Sequence, residues 1–321
     1  VAGCGGPVSP ARAPDGPPVA GVILADWSAG GYAGPACGAA LDSIAATGAT
    51  ELAIVVTYYV TDVHASAVQP RADTPSRTAV EAAARAAADR GLAVGVKVHV
   101  DVEDGTWRAR IDPADPERWF RTYGDVLVPW AETSDAFGAS RFFVGTELAG
   151  TLRHETEWRA LVARLRGAFS RPLSYAASWD EADRVPFWDA LDVVGVNAYF
   201  PLATRTDPTR VDLLVGWQVW ESRLDRLCRR TGRPVCFAEI GYRSIDGAAC
   251  DPFDYSMTAP VDLGEQADLY WAALEATHGE PWFSGMYWWN WRADGSAGPT
   301  DRDYTPAGKP AAAELAAAWT R

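Results

Sequence analysis

The feature that most limits what this chain can fold into is an alternation repeated along its whole length. Eight short apolar runs recur, separated by longer, more polar and often Ala-rich segments. The runs are "VAGVILADW" (19–27), "ELAIVVTYY" (51–59), "LAVGVKVHV" (92–100), "RFFVGTEL" (141–148), "PLSYAASW" (172–179), "LDVVGVNAYF" (191–200), "PVCFAEIGY" (234–242) and "FSGMYWWNW" (283–291). Most are rich in Val, Ile or aromatic residues, as strands covered on both faces must be.

The intervening segments predict helices over 78–91, 115–132, 154–169, 211–230, 261–278 and 309–321. The first has a strong Ala bias and a Gly stop; the second has an Asp cap followed by Pro at the first helical position. Strands alternating with helices give an α/β fold with a parallel sheet, and eight strands is the number that closes a (β/α)8 TIM barrel. A doubly wound open sheet is the alternative. It would carry G-x-G-x-x-G after its first strand, and "DWSAGGYAGPACG" (26–38) does not supply that spacing. One barrel domain over 19–321 is expected, preceded by a Gly/Pro-rich tether over 1–18.

The net charge of −13 argues against a nucleic-acid partner. No apolar run approaches the roughly 18 residues of a bilayer span. The N-terminal "VAGC" resembles a bacterial lipobox, with Cys4 as the lipidated residue. It predicts a lipid-anchored protein at the cell surface, in contact with membrane only through that anchor. The remaining cysteines, Cys37, Cys228, Cys236 and Cys250, permit two disulfides in an oxidising compartment. Cys228 closes a predicted helix and Cys236 lies in the strand after it, while Cys37 and Cys250 follow the first and seventh strands. The pairing this suggests is Cys228–Cys236 and Cys37–Cys250, with four buried free thiols as the alternative.

In such a barrel the chemistry sits where strands run out into the following loops. Two glutamates stand there, Glu147 after the fourth strand and Glu239 at the end of the seventh. Each ends an apolar run in which a lone charge would be costly. Two carboxylates in unlike surroundings can divide the work of acid and nucleophile. Around them the strand ends carry Asp26 and Trp27, Tyr58 and Tyr59, His99 and Asp101, Trp179 and Asp180, Asn197 and Tyr199, Tyr242, Trp288 and Trp289. The chain has fifteen Trp, and flat apolar rings at a cleft stack well on pyranose faces.

The motifs "KVHVDVEDGTWRARI" (97–111), "FFVGTEL" (142–148), "YAASWDEADRVPFWDALDVVGVNAYFPL" (175–202), "FAEIGYRSIDGAA" (237–249), "GMYWWNW" (285–291) and "TDRDYTPAGKP" (300–310) resemble those of glycoside hydrolase family 113, β-mannanases of clan A with a retaining mechanism. The resemblance implies Glu147 as general acid/base and Glu239 as nucleophile. Tyr199 matches a tyrosine that bonds and orients the nucleophile. Thr146 stands where much of the clan has Asn. Asn197 departs from the Asp expected in this family, which bears on substrate choice more than on chemistry. Either Trp289 or Trp288 matches the tryptophan that floors the subsite of the attacked sugar; adjacent strand residues face opposite ways, so one of them packs outward.

His99, Asp101, Trp107, Trp179 and Tyr242 are further candidate substrate contacts, with Trp107 as a stacking platform. Lys97, on the parity of His99 and Asp101, reads as mostly structural. The substrate implied is a polysaccharide or oligosaccharide, cleaved by a monomer without cofactor or metal. The four His lack the spacing of a metal site, and G-x-S-x-G is absent. Two other readings remain: a glycosidase or transglycosylase acting on another, cell-envelope glycan, and a surface lipoprotein that binds glycans without cleaving them.

Overall fold

The computed structural model describes residues 16–320. Cys4 and most of the tether lie outside the described residues. Eight parallel strands close in chain order: β1 (Val19–Ala25), β2 (Glu51–Val60), β3 (Ala93–Val102), β4 (Arg141–Thr146), β5 (Leu173–Ser178), β6 (Val193–Asn197), β7 (Val235–Ile240) and β8 (Phe283–Arg292), with β8 pairing back onto β1. Around them lie α1 (Pro35–Ala45), α2 (Arg77–Ala88), α3 (Pro116–Ala136), α4 (Glu155–Ala168), α5 (Arg210–Thr231), α6 (Leu263–Thr277) and α7 (Pro310–Trp319). This is the expected (β/α)8 barrel. One connection differs from the sequence reading: helix α1 had no expected counterpart. Between β5 and β6, where no helix was expected, the chain makes two short 3-10 turns.

The period of two along each strand divides the apolar residues into two cores. On β2, Leu52, Ile54 and Val56 face the helices, while Ala53 and Val55 face the barrel axis. The axial core is small and also holds Ile23, Phe143, Ala176, Cys236 and Tyr287. The core between strands and helices is much larger and takes most of the tryptophans. Helix ends are fixed locally. Ser76, Asp115 and Asp262 accept from backbone N–H groups at the starts of α2, α3 and α6. Thr209 and Asp212 form a reciprocal cap on α5, which ends at left-handed Gly232.

The division into two cores also overturns the predicted disulfides. All four described cysteines are free. Cys236 points to the barrel axis, whereas Cys228 packs on the helix side of the sheet, so the strand itself separates their sulfurs. Cys37 is buried in the helix-side core on α1, and Cys250 lies in the loop after β7 near Glu265, Asp251 and Asp246. Burial raises every one of these thiols above its ordinary range, which makes them poor nucleophiles for exchange.

Candidate active site

Both glutamates sit where the regular ladder is disturbed. The pairing of β4 with β5 shifts register between Phe143 and Thr146. The pairing of β7 with β8 shifts between Phe237 and Ile240. Irregularities of this kind re-aim side chains at the rims of barrels. Within β4, Gly145 lets the chain lie close to two rings: a Cβ there would stand 2.9 Å from Trp158 and 3.0 Å from Tyr175. The strand ends at Thr146, and Glu147 follows with φ of 53° in the left-handed region, which few non-glycine residues enter.

Glu239 is the more enclosed of the two, its side chain 6% exposed against 14% for Glu147. Its Oε1 accepts from Lys97 Nζ at 2.5 Å and its Oε2 from the Tyr199 hydroxyl at 2.8 Å. Lys97 Nζ also donates to the Ala238 carbonyl at 3.0 Å. His99 Nε2 lies 3.6 Å from Glu239 Oε1, and its ring stacks on Trp289 with centroids 6.0 Å apart. Glu147 has different company. Its Oε1 accepts from Asn197 Nδ2 at 2.9 Å, and its Oε2 accepts from Trp107 Nε1 at 3.3 Å. Arg108 Nη1 is 3.9 Å from the same Oε2, but the guanidinium is committed to Asp101 through bonds of 2.9 and 2.5 Å. Asn197 stands beside Glu239 in the β6–β7 ladder and reaches Glu147, so it bridges the two halves of the site.

These surroundings separate the two acids electrostatically. Burial and then the charge of Glu239 hold the Glu147 carboxyl above the usual range, against the opposing pull of Arg108, Asn197 and Trp107. Burial, with Arg108 and Lys97 nearby, holds His99 well below its ordinary value, so the ring is neutral near pH 7. Burial and the Glu239 charge raise the Tyr199 phenol, which stays protonated and donates to that carboxylate. One carboxyl therefore keeps its proton readily, while the other accepts from an ammonium and a phenol. Among the described residues no group of three or more His, Cys, Asp or Glu could hold a metal ion.

Of the predicted residues, the structure brings together Glu147, Glu239, His99, Asn197, Tyr199, Trp107 and Trp289, with Asp101 joined through Arg108. Thr146 is buried directly before Glu147, and its hydroxyl has no protein partner. Trp27, 46% exposed, packs edge-on against Trp289 and extends the rim toward solvent, as Trp107 does at 47%. Asp26 and Asp180 instead bond Ser28 and Ser178 in their own turns.

Two candidates need correction, and a third, Trp179, stands apart from the carboxylates. Trp288 is fully buried on the helix side, stacked on Tyr270 at 3.7 Å, so Trp289 is the inward member of the pair. Tyr242 packs with Trp288 and Tyr270 in that same outer core and does not face the carboxylates. Trp179 lies in a separate aromatic group with Trp220 and Phe253, at 5.4 and 6.0 Å.

Two functional groups escaped the sequence reading. Lys97 was assigned to the scaffold but binds Glu239 directly. Its parity with His99 was the available signal. Arg108 was not singled out. The strand-end acid Asp101, which needs a cation if half-buried, was the clue to it.

The family model for Glycoside Hydrolase Family 113 matches residues 25–309. Among solved structures, the chain is similar to the β-mannanase AaManA from Alicyclobacillus acidocaldarius in complex with ManMIm. That match has 26% identity and a TM-score of 0.88, covering 96% of this chain and 99% of that one. It is also similar to a complex of another family 113 β-1,4-mannanase, at 24% identity and TM-score 0.88, covering 95% and 99%. A more distant likeness, at 18% identity and TM-score 0.62, is to a GH5_18 protein from Streptomyces cattleya in complex with Manβ1-4GlcNAc, covering 95% and 80%. No curated protein matches the sequence. With a family match spanning nearly the whole barrel around two unlike buried glutamates, the chain belongs to glycoside hydrolase family 113 and is an enzyme acting on oligosaccharides or polysaccharides.

Proposed function

We propose that the enzyme cleaves β-1,4-mannosidic bonds of mannan-type polysaccharides or oligosaccharides by a retaining double displacement. The observation that carries this reading is the unlike company of the two glutamates. Glu239 accepts from Lys97 and Tyr199 and is the nucleophile; Glu147, raised by burial and by its neighbour's charge, is the acid/base. The mannan preference rests on family membership and on the similarity to AaManA, a β-mannanase.

In the first displacement a Glu239 oxygen attacks the anomeric carbon. The glycosidic oxygen leaves with the bonding pair and takes the Glu147 proton. In the second, Glu147 removes a proton from water, the water oxygen attacks the anomeric carbon, and Glu239 departs as carboxylate. Tyr199 and Lys97 hold the Glu239 carboxylate in place. Asn197 and Trp107 aim the Glu147 carboxyl, and Trp289 with Trp27 offers apolar surface to a sugar ring.

Incubation with a panel of β-mannan, glucomannan, β-glucan and their oligosaccharides tests the reading, with product anomers followed by proton NMR. Mannan-derived products released first as the β-anomer are expected. Initial α-anomer would overturn the retaining mechanism. Turnover confined to other glycans would overturn the substrate, and binding without turnover would point to a glycan-binding protein instead.

A further inference from the structure

Glu147 and Asp207 alone among the described non-glycine residues have positive φ. Such a backbone persists only where its surroundings over-determine it, and the atoms that fix Glu147 come from β5 with the loop beyond and from the turn and helix that follow β4. Its own N–H donates to the Ala176 carbonyl at 2.8 Å. The next N–H, that of Leu148, donates to the Tyr175 hydroxyl at 2.7 Å. The Leu148 carbonyl accepts from the Thr151 hydroxyl at 2.7 Å, which is itself held by Trp158 Nε1 at 3.1 Å. A phenol that accepts from an amide has its single proton left to give, and Tyr175 gives it to Glu181 Oε1 at 2.9 Å.

Glu181 is the unexpected member. It is fully buried in the loop after β5 and has no cation among the described residues. The charged groups acting on it are Glu147 and Asp180, both acids, and burial outweighs them in pushing it up to about 8. A buried acid with no counter-charge is costly to keep. Its one side-chain partner is the Tyr175 phenol, and with the Ser178 backbone it opposes the upward shift. That phenol is otherwise enclosed by Trp158, Phe187 and Trp188, with ring centroids 5.4, 5.6 and 6.1 Å away, and none of these rings can receive its proton as a carboxyl does.

We propose that Tyr175 and Glu181 are positioning residues for the acid/base: Glu181 fixes the Tyr175 hydroxyl, and that hydroxyl pins the Leu148 amide so that Glu147 stays in its left-handed turn with the carboxyl aimed at the cleft. The inference rests on the role of Glu147 given above. It adds a second tier of residues, on the helix side of the sheet, that controls proton transfer without touching substrate.

The test compares a mannan oligosaccharide, whose leaving group needs a proton, with a 2,4-dinitrophenyl β-mannobioside, whose leaving group does not. Tyr175→Phe removes one oxygen and keeps the ring. We expect kcat/KM on the oligosaccharide to fall about 10-fold or more, mostly in kcat, while that on the dinitrophenyl substrate stays within about twofold. Glu181→Leu should reproduce this selective loss. Glu181→Gln, whose carbonyl still accepts from Tyr175, should restore most of it, and Tyr175→Phe/Glu181→Leu should be no worse than Tyr175→Phe alone. Equal losses on both substrates, or none on the oligosaccharide, would overturn the proposal and leave ordinary packing.

Crystal structures of the wild type and Tyr175→Phe give a readout independent of turnover. Residue 147 is expected to leave the left-handed region in the variant, and an unchanged φ there would also sink the idea. If the wild type cleaves no mannan, the functional reading fails by itself, and the crystallographic comparison still decides the positioning claim.

Discussion

The two mouths of the barrel contain the same three kinds of group. At the end where the strands finish, Glu239 meets Lys97 and Tyr199. At the opposite end Glu51, the first residue of β2, accepts from the Tyr287 hydroxyl and lies 3.7 Å from Arg141 Nε. Both trios are almost wholly buried. The lower one is closed over by its own aromatics: Arg141 lies over the Tyr287 ring, which meets Phe143 edge-on at 5.7 Å. The upper one opens onto a second carboxyl, Glu147, and a rim of half-exposed tryptophans. A buried Glu with a cation and a tyrosine is therefore not a signature of chemistry. The second acid, differently solvated, is what turns a structural plug into a candidate reaction centre.

Substitutions at the two ends should break this symmetry in opposite ways. The largest effect is expected for Glu239→Gln, which should lower kcat on mannan by about four orders of magnitude, measured by initial rates. Glu147→Ala should come next, with a loss of about 10²- to 10⁴-fold on polymer but far less in kcat/KM on an activated aryl glycoside, measured by initial rates. Glu51→Gln should do the reverse. It leaves the Arg141 charge unpaired inside the lower plug and should cost about 3 kcal/mol in denaturant unfolding with kcat within about twofold of wild type. Comparable damage to kcat from Glu51→Gln would mean that the two ends are coupled.

Two pH effects sharpen the comparison. The Glu239 charge is one of the causes that raise Glu147, so Glu147 should titrate at lower pH in Glu239→Gln, as read by carbon NMR of the labelled carboxyl. An unchanged titration would assign the shift to burial alone. The second effect is on stability. Glu181 holds its proton in the folded chain up to about 8, but releases it near 4.5 when unfolded. Folding thus takes up a proton between those values, and this contribution to stability falls as pH rises across the window. Relative to Glu181→Gln, the wild type should lose unfolding free energy from pH 4.5 to 8 and level off above that. A flat difference would show that Glu181 is ionised throughout.

Much of this architecture was legible because parallel strands buried on both faces must be apolar without interruption. Polar residues at their ends, such as Glu239, Asn197 and Tyr199, then stand out against hydrocarbon. What period two cannot supply is which face each residue takes once a strand bends. Trp289 was the better match and Trp288 the other candidate, and only the packing separates them, with Trp288 stacked on Tyr270 and Trp289 beside His99. Tyr242 lies two residues beyond the β7 strand, where alternation no longer predicts direction. Arg108 and Glu181 belong to loops, and their partners, Asp101 and Tyr175, are fixed only by how those loops close. Helix α1 was missed because its Gly- and Ala-rich sequence gives a weak periodic signal, with only Cys37, Ala40, Leu41 and Ile44 buried. The cysteine pairing failed on the same question of faces, since Cys228 and Cys236 are near in sequence but separated by the sheet.

Lys97 has a consequence that reaches through the whole proposed cycle. Its ammonium is fully buried and tied both to the Ala238 carbonyl and to Glu239, so it cannot swing away when its partner changes state. In the proposed resting state it is paired with the Glu239 carboxylate, while Glu147, held above the usual carboxyl range, carries the proton it will donate. Once Glu239 becomes an ester, that negative charge is gone and the ammonium faces Glu147 alone among the two acids. Ionised Glu147 then restores the balance, and ionised is the form that takes a proton from water. In the proposed cycle the two glutamates share one negative charge throughout and only move it from one wall of the barrel to the other, with a fixed cation making each half of the turnover set up the next.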